Sequence, residues 1–236
     1  MKDKKQGPKA VKAKACNTYY PAFIDLENKK TVVVGGGNVA ERKILGLLDT
    51  GAKVTVVSPG ITKRIEREKQ KGRLRHICRA YRKSDLKEAF LVIAATDDRD
   101  VNERVSRDAP CLVNIVDVPK LCNFIVPSTM QRGPLTIAIS TGGVSPALAR
   151  SLREELEKIY GCEFSGYLKT LQKIRAQAMT MIKDGKKRAG FLKAVASENM
   201  LKLLKEKGCS EVGEAVKSLF NSYTAKNSGR RAEKPF

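Results

Sequence analysis

Three consecutive glycines separate an apolar segment from one with helical spacing in the stretch KTVVVGGGNVAERK. Matched to the pattern G-x-G-x-x-A, the stretch has Gly35, Gly37 and Ala40 at the three defined positions. There Gly35 would make a tight turn, Gly37 would let a pyrophosphate approach the backbone, and Ala40 would let the helix pack closely on the strand. The phosphates would lie over the helix N-terminus. The motif predicts a dinucleotide site, against the alternative of a tight bend between strand and helix.

The type of dinucleotide stays open at this stage. An acidic residue about 20 positions after the glycines normally binds the ribose 2′-hydroxyl of NAD. Here the next apolar segment ends in Val57, Ser58 and Pro59 and is followed by Lys63 and Arg64. The residues therefore do not choose between NAD and NADP.

Two later apolar segments also end in residues that could do chemistry. The segment LVIAATD ends in Ala95, Thr96 and Asp97, which suit a strand end passing beneath a cofactor, although Thr and Asp are also good helix caps. The segment CLVNIVD carries Asn114 and Asp117. A carboxylate there could take a proton from carbon or nitrogen, or ligate a metal. The alternative for Asp117 is a structural turn before a proline.

Alternating strands and helices would position these residues. Five apolar, β-branched segments (TVVVG, KVTVVSP, LRHICRAY, LVIAATD and CLVNIVD) alternate with segments of helical or polar character, among them a predicted short helix, SDLKEAF. This rhythm is typical of a doubly wound parallel sheet, whose strands end at one common edge where ligands bind.

The pattern changes after Pro119. Two strand-like segments around Gly133 and Pro134 predict a hairpin-like addition. Ser145 is then a plausible N-cap with Pro146 at the first helical position, and everything beyond Gly161 has helical character.

Composition limits the possible partners and sites. The formal net charge is +21, of which residues 1–15 carry +5 and residues 225–236 carry +3, leaving +13 on the body. Such a protein attracts anions, whether nucleic acid, anionic lipid or a polycarboxylate. Six cysteines without a CxxC pair and one histidine, His76, argue against a resident metal site. No apolar run is long enough to span a bilayer, and no leader-like segment begins the chain, so we expect a cytoplasmic protein.

Four stretches, in this order and spacing, resemble the siroheme synthase family in its N-terminal module: VVVGGGNVAERK, VIAATDD followed by VN, VNIVDVPKLCNFIVPS and GPLTIAISTGGVSPALARSLRE. The resemblance is dense from Tyr20 to Gly161 and loose beyond. It implies an enzyme that oxidises precorrin-2 to sirohydrochlorin with NAD as hydride acceptor. In some members ferrous iron is also inserted, as a substrate, to give siroheme. A fused methyltransferase is not expected in a chain of 236 residues.

The resemblance also implies a domain plan and a homodimer. Residues 19–118 would form a Rossmann-type NAD-binding domain, residues 119–160 a small α+β dimerisation domain, and residues 161–224 a helical domain. Residues 1–18 and 225–236 are expected to be disordered tails.

The roles of individual residues follow from the same resemblance. Asp117 would be the catalytic residue for dehydrogenation and, where present, chelation. The cofactor would contact three strand ends, at Gly35, Gly37, Asn38, Val39 and Ala40, at Ser58, Pro59 and Gly60, and at Ala95, Thr96 and Asp97. Thr141 and Gly142 would border the tetrapyrrole site together with Asn114. A phosphorylated serine occupies the position of Thr141 in some members.

Four cations near these motifs are candidate anchors for the substrate, which carries several carboxylates: Lys120, Arg132, Arg150 and Arg153. Arginine binds carboxylates bidentately. The alternative for each is a solvated surface charge.

Two alternative functions stay open. A bifunctional dehydrogenase and ferrochelatase would use the same carboxylate for both reactions. A regulator that senses NAD or binds nucleic acid would use the basic tails and the helices from Lys169 to Arg188. The helical segments show no helix-turn-helix spacing, and aromatic residues make up only 6% of the chain, which argues against nucleic acid.

Overall fold

The structure, a computed structural model, describes residues 19–225, and these form two units that divide between Val126 and Pro127. The predicted terminal tails lie outside the described residues, apart from Ala225, which ends the last helix. Whether the domain boundaries fall where the sequence suggests stays a prediction.

The first unit is built on five parallel strands in the order β3-β2-β1-β4-β5. The strands are β1 (Lys30–Val34), β2 (Lys53–Val57), β3 (Leu74–Ile77), β4 (Leu91–Ala94) and β5 (Leu112–Ile115). Helices α1 (Asn38–Leu48), α2 (Lys63–Gln70) and α3 (Arg99–Asp108) connect them. The strand order reverses between β1 and β4, so the carboxyl ends of these two strands border the switch point where such sheets bind ligands.

Both faces of this sheet are covered, as the continuous apolar strands predict. In β1, Val33 packs into the cluster that contains Ile44 of α1, while Val32 and Val34 pack into the opposite cluster with Val105 of α3. Burial on both faces fixes the position of every strand end, and therefore of the residues that follow it.

The predicted short helix SDLKEAF is a single 3-10 turn, Lys83–Leu86. The carboxylate of Asp85 accepts from the backbone N–H of Arg82 at 2.8 Å and from the guanidinium of Arg79 at 2.6 and 2.8 Å. These bonds hold Asp85 inside the turn, so the expected helix opened by Ser84 or Asp85 does not form.

The second unit combines a hairpin with helices. Strands β6 (Ser128–Arg132) and β7 (Leu135–Ile139) are antiparallel and turn at Gly133, whose φ is 58°. Helices α4 (Pro146–Ile159), α5 (Glu163–Met181), α6 (Gly185–Ala194) and α7 (Glu198–Ala225) follow. Helix α7 is interrupted by a kink at Gly208, whose φ is 82°. Ser145 caps α4 by accepting from Leu148 N–H at 3.2 Å, as predicted. The predicted fold class, a parallel α/β sheet followed by a small antiparallel sheet and C-terminal helices, is confirmed.

The helices of this unit surround an aromatic core. Phe191 is fully buried and packs edge-on against Phe220 at 5.5 Å between ring centroids. Between α6 and α7 the chain turns at Val195, and the buried hydroxyl of Tyr167 on α5 donates to the Val195 carbonyl. The break between α6 and α7 is therefore stabilised by a side chain from another helix.

We expect Tyr167→Phe to lower the free energy of unfolding by about 1–2 kcal/mol, because the Val195 carbonyl loses a buried donor. Urea unfolding followed by circular dichroism measures this. Tyr20→Phe, at a side chain that is 92% exposed, is the control and should change nothing. Equal stability of the two variants would contradict the assignment.

Candidate dinucleotide-binding and active site

The glycine turn after β1 is confined on two sides. Gly35 has a φ of 121°, and a Cβ at this position would lie 2.2 Å from the carbonyl oxygen of Ala95 after β4. A Cβ at Gly36 would lie 2.0 Å from the carbonyl oxygen of Gly60 after β2. A Cβ at Gly37 would meet no described atom within 4 Å. Packing thus requires the first two glycines, whereas the third faces open space.

Helix α1 begins directly above this turn with an uncapped N-terminus. Gly37 is the N-cap and supplies no side chain, Asn38 and Val39 are exposed, and Ala40 is fully buried against the sheet. Unpaired N–H groups and the helix dipole favour an anion at such an end. The cradle fits a pyrophosphate, because Gly37 leaves its approach open.

The loop after β2 is fixed against the glycine turn. The hydroxyl of Ser58 donates to the carbonyl of Gly60 at 2.7 Å, and the N–H of Thr62 donates to the carbonyl of Gly36 at 3.1 Å. Ser58 is buried, whereas Pro59 and Gly60 are exposed. Of these predicted cofactor contacts, Ser58 shapes the loop, and Pro59 and Gly60 present its surface.

Histidine and cysteine chemistry contributes no metal site to the described part of the chain. His76 on β3 lies with its Nε2 2.9 Å from the carbonyl oxygen of Ser58, which is a structural role. Among residues 19–225 no three potential ligands of the His, Cys, Asp or Glu type come together.

The end of β4 combines capping with exposure. Asp98 is the N-cap of α3 and accepts from Val101 N–H at 3.0 Å, and the hydroxyl oxygen of Thr96 accepts from Asp98 N–H at 2.9 Å. The amide of Asn102 donates to the carbonyl of Thr96 at 2.9 Å. The capping interpretation of this stretch is confirmed by Asp98, and the contact of Ala95, Thr96 and Asp97 with a cofactor stays a prediction.

Asp117 lies in a tight turn after β5 in an unusual backbone conformation. Its φ is 61°, the side chain is exposed, and the turn is closed by Val118 N–H donating to the Ile115 carbonyl at 3.2 Å. Aspartate tolerates the left-handed region better than most residues, yet such conformations cost free energy and concentrate at functional sites.

The thiol of Cys122 stabilises this turn through hydrogen bonds with its backbone. Its Sγ accepts from Ile115 N–H at 3.1 Å and lies 3.3 Å from the carbonyl oxygens of both Ile115 and Val118. Burial raises the pKa of the Cys122 thiol, with the bond from Ile115 acting in the opposite direction, so the proton stays available for donation. Sequence reasoning missed this residue, since an isolated cysteine carries no motif.

Asn114 has a structural contact that the sequence did not indicate. Its amide donates to the carbonyl of Phe124 at 3.1 Å. The neighbouring Asn123 accepts from Val113 N–H at 2.7 Å, so the segment around Phe124 runs along the edge of β5. The role of Asn114 in substrate binding stays a prediction.

A cleft of about 540 Å³ opens between the ends of β4 and β5 and the start of α3. It brings together predicted cofactor and catalytic residues with side chains that the sequence did not single out. Its lining consists of Thr96, Asp97, Arg99, Asn102, Glu103, Val116, Asp117, Val118 and Leu121.

Lys43 on α1 is a second residue that sequence reasoning missed. Burial, followed by the neighbouring charge of Arg42, lowers its pKa, while the charge of Asp117 acts to raise it. The charge of Asp117 therefore acts on the Lys43 ammonium, although the two side chains form no ion pair among the described contacts. The only sequence signal was its place in the stretch after the glycine motif.

The candidate anchor residues differ in how they are engaged. Lys120, in the first unit, is exposed three residues after Asp117. In the second unit, Arg132 donates to the Tyr160 carbonyl at 3.2 Å, and the hydroxyl oxygen of Thr141 accepts from Ser145 N–H at 3.0 Å.

The two arginines of α4 are paired with glutamates of the same helix. Arg150 lies 2.9 Å from Glu154, and Arg153 lies 2.6 Å from Glu157. Neighbouring Gly142 adopts a φ of 62° in the loop before this helix. The pair of Arg150 and Glu154 is exposed and therefore weak, whereas Arg153 and Glu157 are partly buried.

A parallel sheet whose glycine turn, open helix end and polar cleft share one edge defines a dinucleotide-binding Rossmann domain. Comparison with known proteins agrees: a family model for NAD(P)-binding domains matches residues 22–128, and the model for the central part of sirohaem biosynthesis proteins matches residues 132–159. The chain therefore carries, in this order, an NAD(P)-binding domain and the central segment of sirohaem biosynthesis proteins, and it is similar to siroheme synthases.

Individual relatives support the assignment. A siroheme synthase of Methylobacillus flagellatus is 46% identical over 59% of this chain, and siroheme synthase 3 of Aeromonas hydrophila is 36% identical over 86% of it. The chain spans only 30% and 44% of their respective lengths. A solved structure of SirC, a precorrin-2 dehydrogenase, is similar to this chain with 29% identity and a TM-score of 0.74. The match covers 85% of this chain and 100% of the SirC chain.

The two ends of the glycine motif should respond differently to substitution. We expect Gly35→Ala to lower the free energy of unfolding by about 2–4 kcal/mol, because a Cβ at positive φ would clash with backbone. The matched variant Gly37→Ala should cost about 1 kcal/mol or less, since its Cβ enters open space. Urea unfolding compares the two, and similar losses would contradict this geometry.

Proposed function

We propose that this chain is a precorrin-2 dehydrogenase that oxidises precorrin-2 to sirohydrochlorin with NAD as acceptor. The observation that carries the proposal is the cleft that Asp117 shares with Thr96 and Asp97, at the edge of an NAD(P)-binding domain. The similarity to SirC over its full length supports the same substrate.

The cofactor's place follows from the cradle around the glycine turn. The N–H groups at the start of α1 would hold its pyrophosphate, with Gly37 leaving room for close approach. The nicotinamide ring, when bound, supplies the hydride acceptor. The protein then has to hold substrate and cofactor at the distance and orientation that hydride transfer requires.

We favour NAD over NADP on one contact. A 2′-phosphate needs a free arginine near the end of β2. Arg64 lies 4.0 Å from Glu41, whose other carboxylate oxygen accepts from the Thr62 hydroxyl at 2.5 Å. This acidic neighbour disfavours a second anion beside Arg64.

Asp117 would accept the proton that accompanies dehydrogenation. Its side chain is exposed in the cleft, and no described cation lies within ion-pair distance. A carboxylate without a partner retains its acceptor capacity. The turn held by Cys122 would keep this acceptor in a fixed position, so proton transfer needs no rearrangement of the chain.

Ferrous iron, if it is inserted, would be a substrate. The described residues contain no metal-ligand cluster, and the Asp117 carboxylate could instead take protons from pyrrole nitrogens. Lys120, Arg132, Arg150 and Arg153 would bind the carboxylates of the tetrapyrrole. We further propose a cytoplasmic location, where the five described cysteines, all free, stay reduced.

We also propose that the protein is a homodimer. Helix α4 presents Leu148, Leu152 and Ile159 on one face, each exposed by 38–51%, and Val144 in the preceding loop is 77% exposed. Several exposed apolar side chains on one helix face are typical of an interaction site. A second copy offers the same face and would bury both.

Asp117→Asn keeps the shape of the side chain but cannot accept a proton. We expect the rate of precorrin-2 oxidation to fall by about 100-fold or more, with unchanged NAD affinity and melting temperature. Anaerobic absorbance with precorrin-2 and NAD measures conversion, and a second arm with ferrous iron tests chelation against a metal-only control.

Asp100→Asn is the matched control, since Asp100 lies in the first turn of α3 outside the cleft lining. It should retain full activity. Folded wild-type protein that converts no precorrin-2 with either NAD or NADP would overturn the proposed function.

The dimer has its own test. Leu148→Asp should convert a dimer to a monomer in sedimentation equilibrium, because it places a charge in the apolar face. Leu201→Asp, at a leucine of α7 that is 37% exposed, is the control and should leave the dimer intact. A monomeric wild-type protein would contradict the assignment.

A further inference from the structure

Two side-chain atoms in the described part of the chain are buried without a hydrogen-bond partner, the Thr31 Oγ1 and the Asn102 Oδ1. Thr31 lies within β1, where the sheet covers it completely. Asn102 lies on α3 and lines the cleft that contains Asp117. Of these two residues, only Asn102 lines a cleft that a ligand could enter.

The orientation of the Asn102 amide follows from its one bond. Its Nδ2 donates to the carbonyl oxygen of Thr96 at 2.9 Å, and a carbonyl can only accept. The Oδ1 is therefore the free end. The residue is 7% exposed and fixed within helix α3, so this acceptor is preorganised and cannot easily turn to solvent.

A buried acceptor without a donor destabilises the folded state, and one in a native protein calls for an explanation. A bound ligand that brings an N–H or O–H group would supply one. The chemistry required of the ligand at this point is thus a hydrogen-bond donor of small size.

The sheet indicates which part of a dinucleotide reaches this point. The pyrophosphate belongs over the glycine turn after β1, and the ribose of the adenosine half is bound at the end of β2. The other half then extends to the opposite side of the switch point, over β4 and β5. Asn102 lies on that side, since its amide donates to the carbonyl of Thr96, two residues after the end of β4.

We propose that Asn102 Oδ1 accepts a hydrogen bond from the carboxamide N–H₂ of the nicotinamide, and so orients the ring beside Asp117. This deepens the proposed function and rests on it. Asn102 is then a cofactor-positioning residue. The protein would bind the adenosine half of the dinucleotide beside the end of β2 and the nicotinamide half beside the ends of β4 and β5.

The test pairs a residue with an atom of the cofactor. Dissociation constants of NAD and of 3-acetylpyridine adenine dinucleotide, in which a methyl group replaces the carboxamide N–H₂, are measured by calorimetry. Wild-type protein should bind the analogue roughly tenfold more weakly, the value of one hydrogen bond. In Asn102→Ala the two cofactors should bind within about twofold of each other.

ADP-ribose, which lacks the nicotinamide, is the internal control and should bind wild type and variant equally. Asn102→Leu, closer in shape, repeats the comparison should the alanine variant fail to fold. Thr31→Val, at the other unpaired atom, should leave the preference for NAD unchanged.

An unchanged preference for NAD in both Asn102 variants would overturn the inference while leaving the dehydrogenase intact. Loss of precorrin-2 affinity alone would overturn it in favour of a pyrrole N–H as the donor. Wild-type protein that binds neither ADP-ribose nor NAD would overturn the inference together with the proposed cofactor. Precorrin-2 turnover by wild type with NAD separates this last case from the others.

Discussion

The close backbone approach at the end of β1 is the constraint on which the rest of the structure depends. Gly35 lies against the Ala95 carbonyl and Gly36 against the Gly60 carbonyl, so three strand ends meet where only glycine fits. This contact brings the loops after β2 and β4 to the start of α1. Without it, the helix end, the loop at Gly60 and the cleft beside Thr96 would lie farther apart along the edge that the parallel strands give them.

The second half of the site depends on a different device. Asp117 is held at positive φ in a turn whose two ends contact the thiol of Cys122. The chain then continues along the edge of β5, where the side chain of Asn123 accepts from Val113 N–H and the Phe124 carbonyl accepts from the amide of Asn114. The same aspartate on a mobile loop would not have a fixed position, and catalysis by positioning requires that the catalytic group be held in place. The proposed proton acceptor is therefore built from packing that is local to β5.

Much of this architecture could be predicted from sequence. The five β-branched segments are the five parallel strands, and the glycine motif stands between β1 and α1 as expected, because both signals are short-range. The predicted helix near Ser84 is wrong, since contacts of Asp85 with Arg79 and Arg82 close a 3-10 turn instead. The segment beyond Gly161, predicted to have helical character throughout, is interrupted between α6 and α7 near Val195, whose carbonyl accepts from a tyrosine of α5.

The residues that escaped prediction share a physical cause. Gly36 is required because it lies against the Gly60 carbonyl. The thiol of Cys122 contacts the turn of Asp117, and the amide of Asn102 donates to the Thr96 carbonyl. Each role arises from a contact between residues whose pairing no local pattern specifies. By contrast, Asp117 was singled out from the sequence because it ends the apolar segment CLVNIVD and because the surrounding stretch resembles a known family.

The most direct test of the central claim is a map of NAD binding by amide resonances of isotope-labelled protein. The account predicts that addition of NAD shifts signals at three sequence-distant points, the start of α1, the start of α3 and the turn of Asp117, because these share one edge of the sheet. Shifts confined to the basic helices α5 and α6 would contradict it, since they would place the dinucleotide on the second unit and not on the dinucleotide-binding domain.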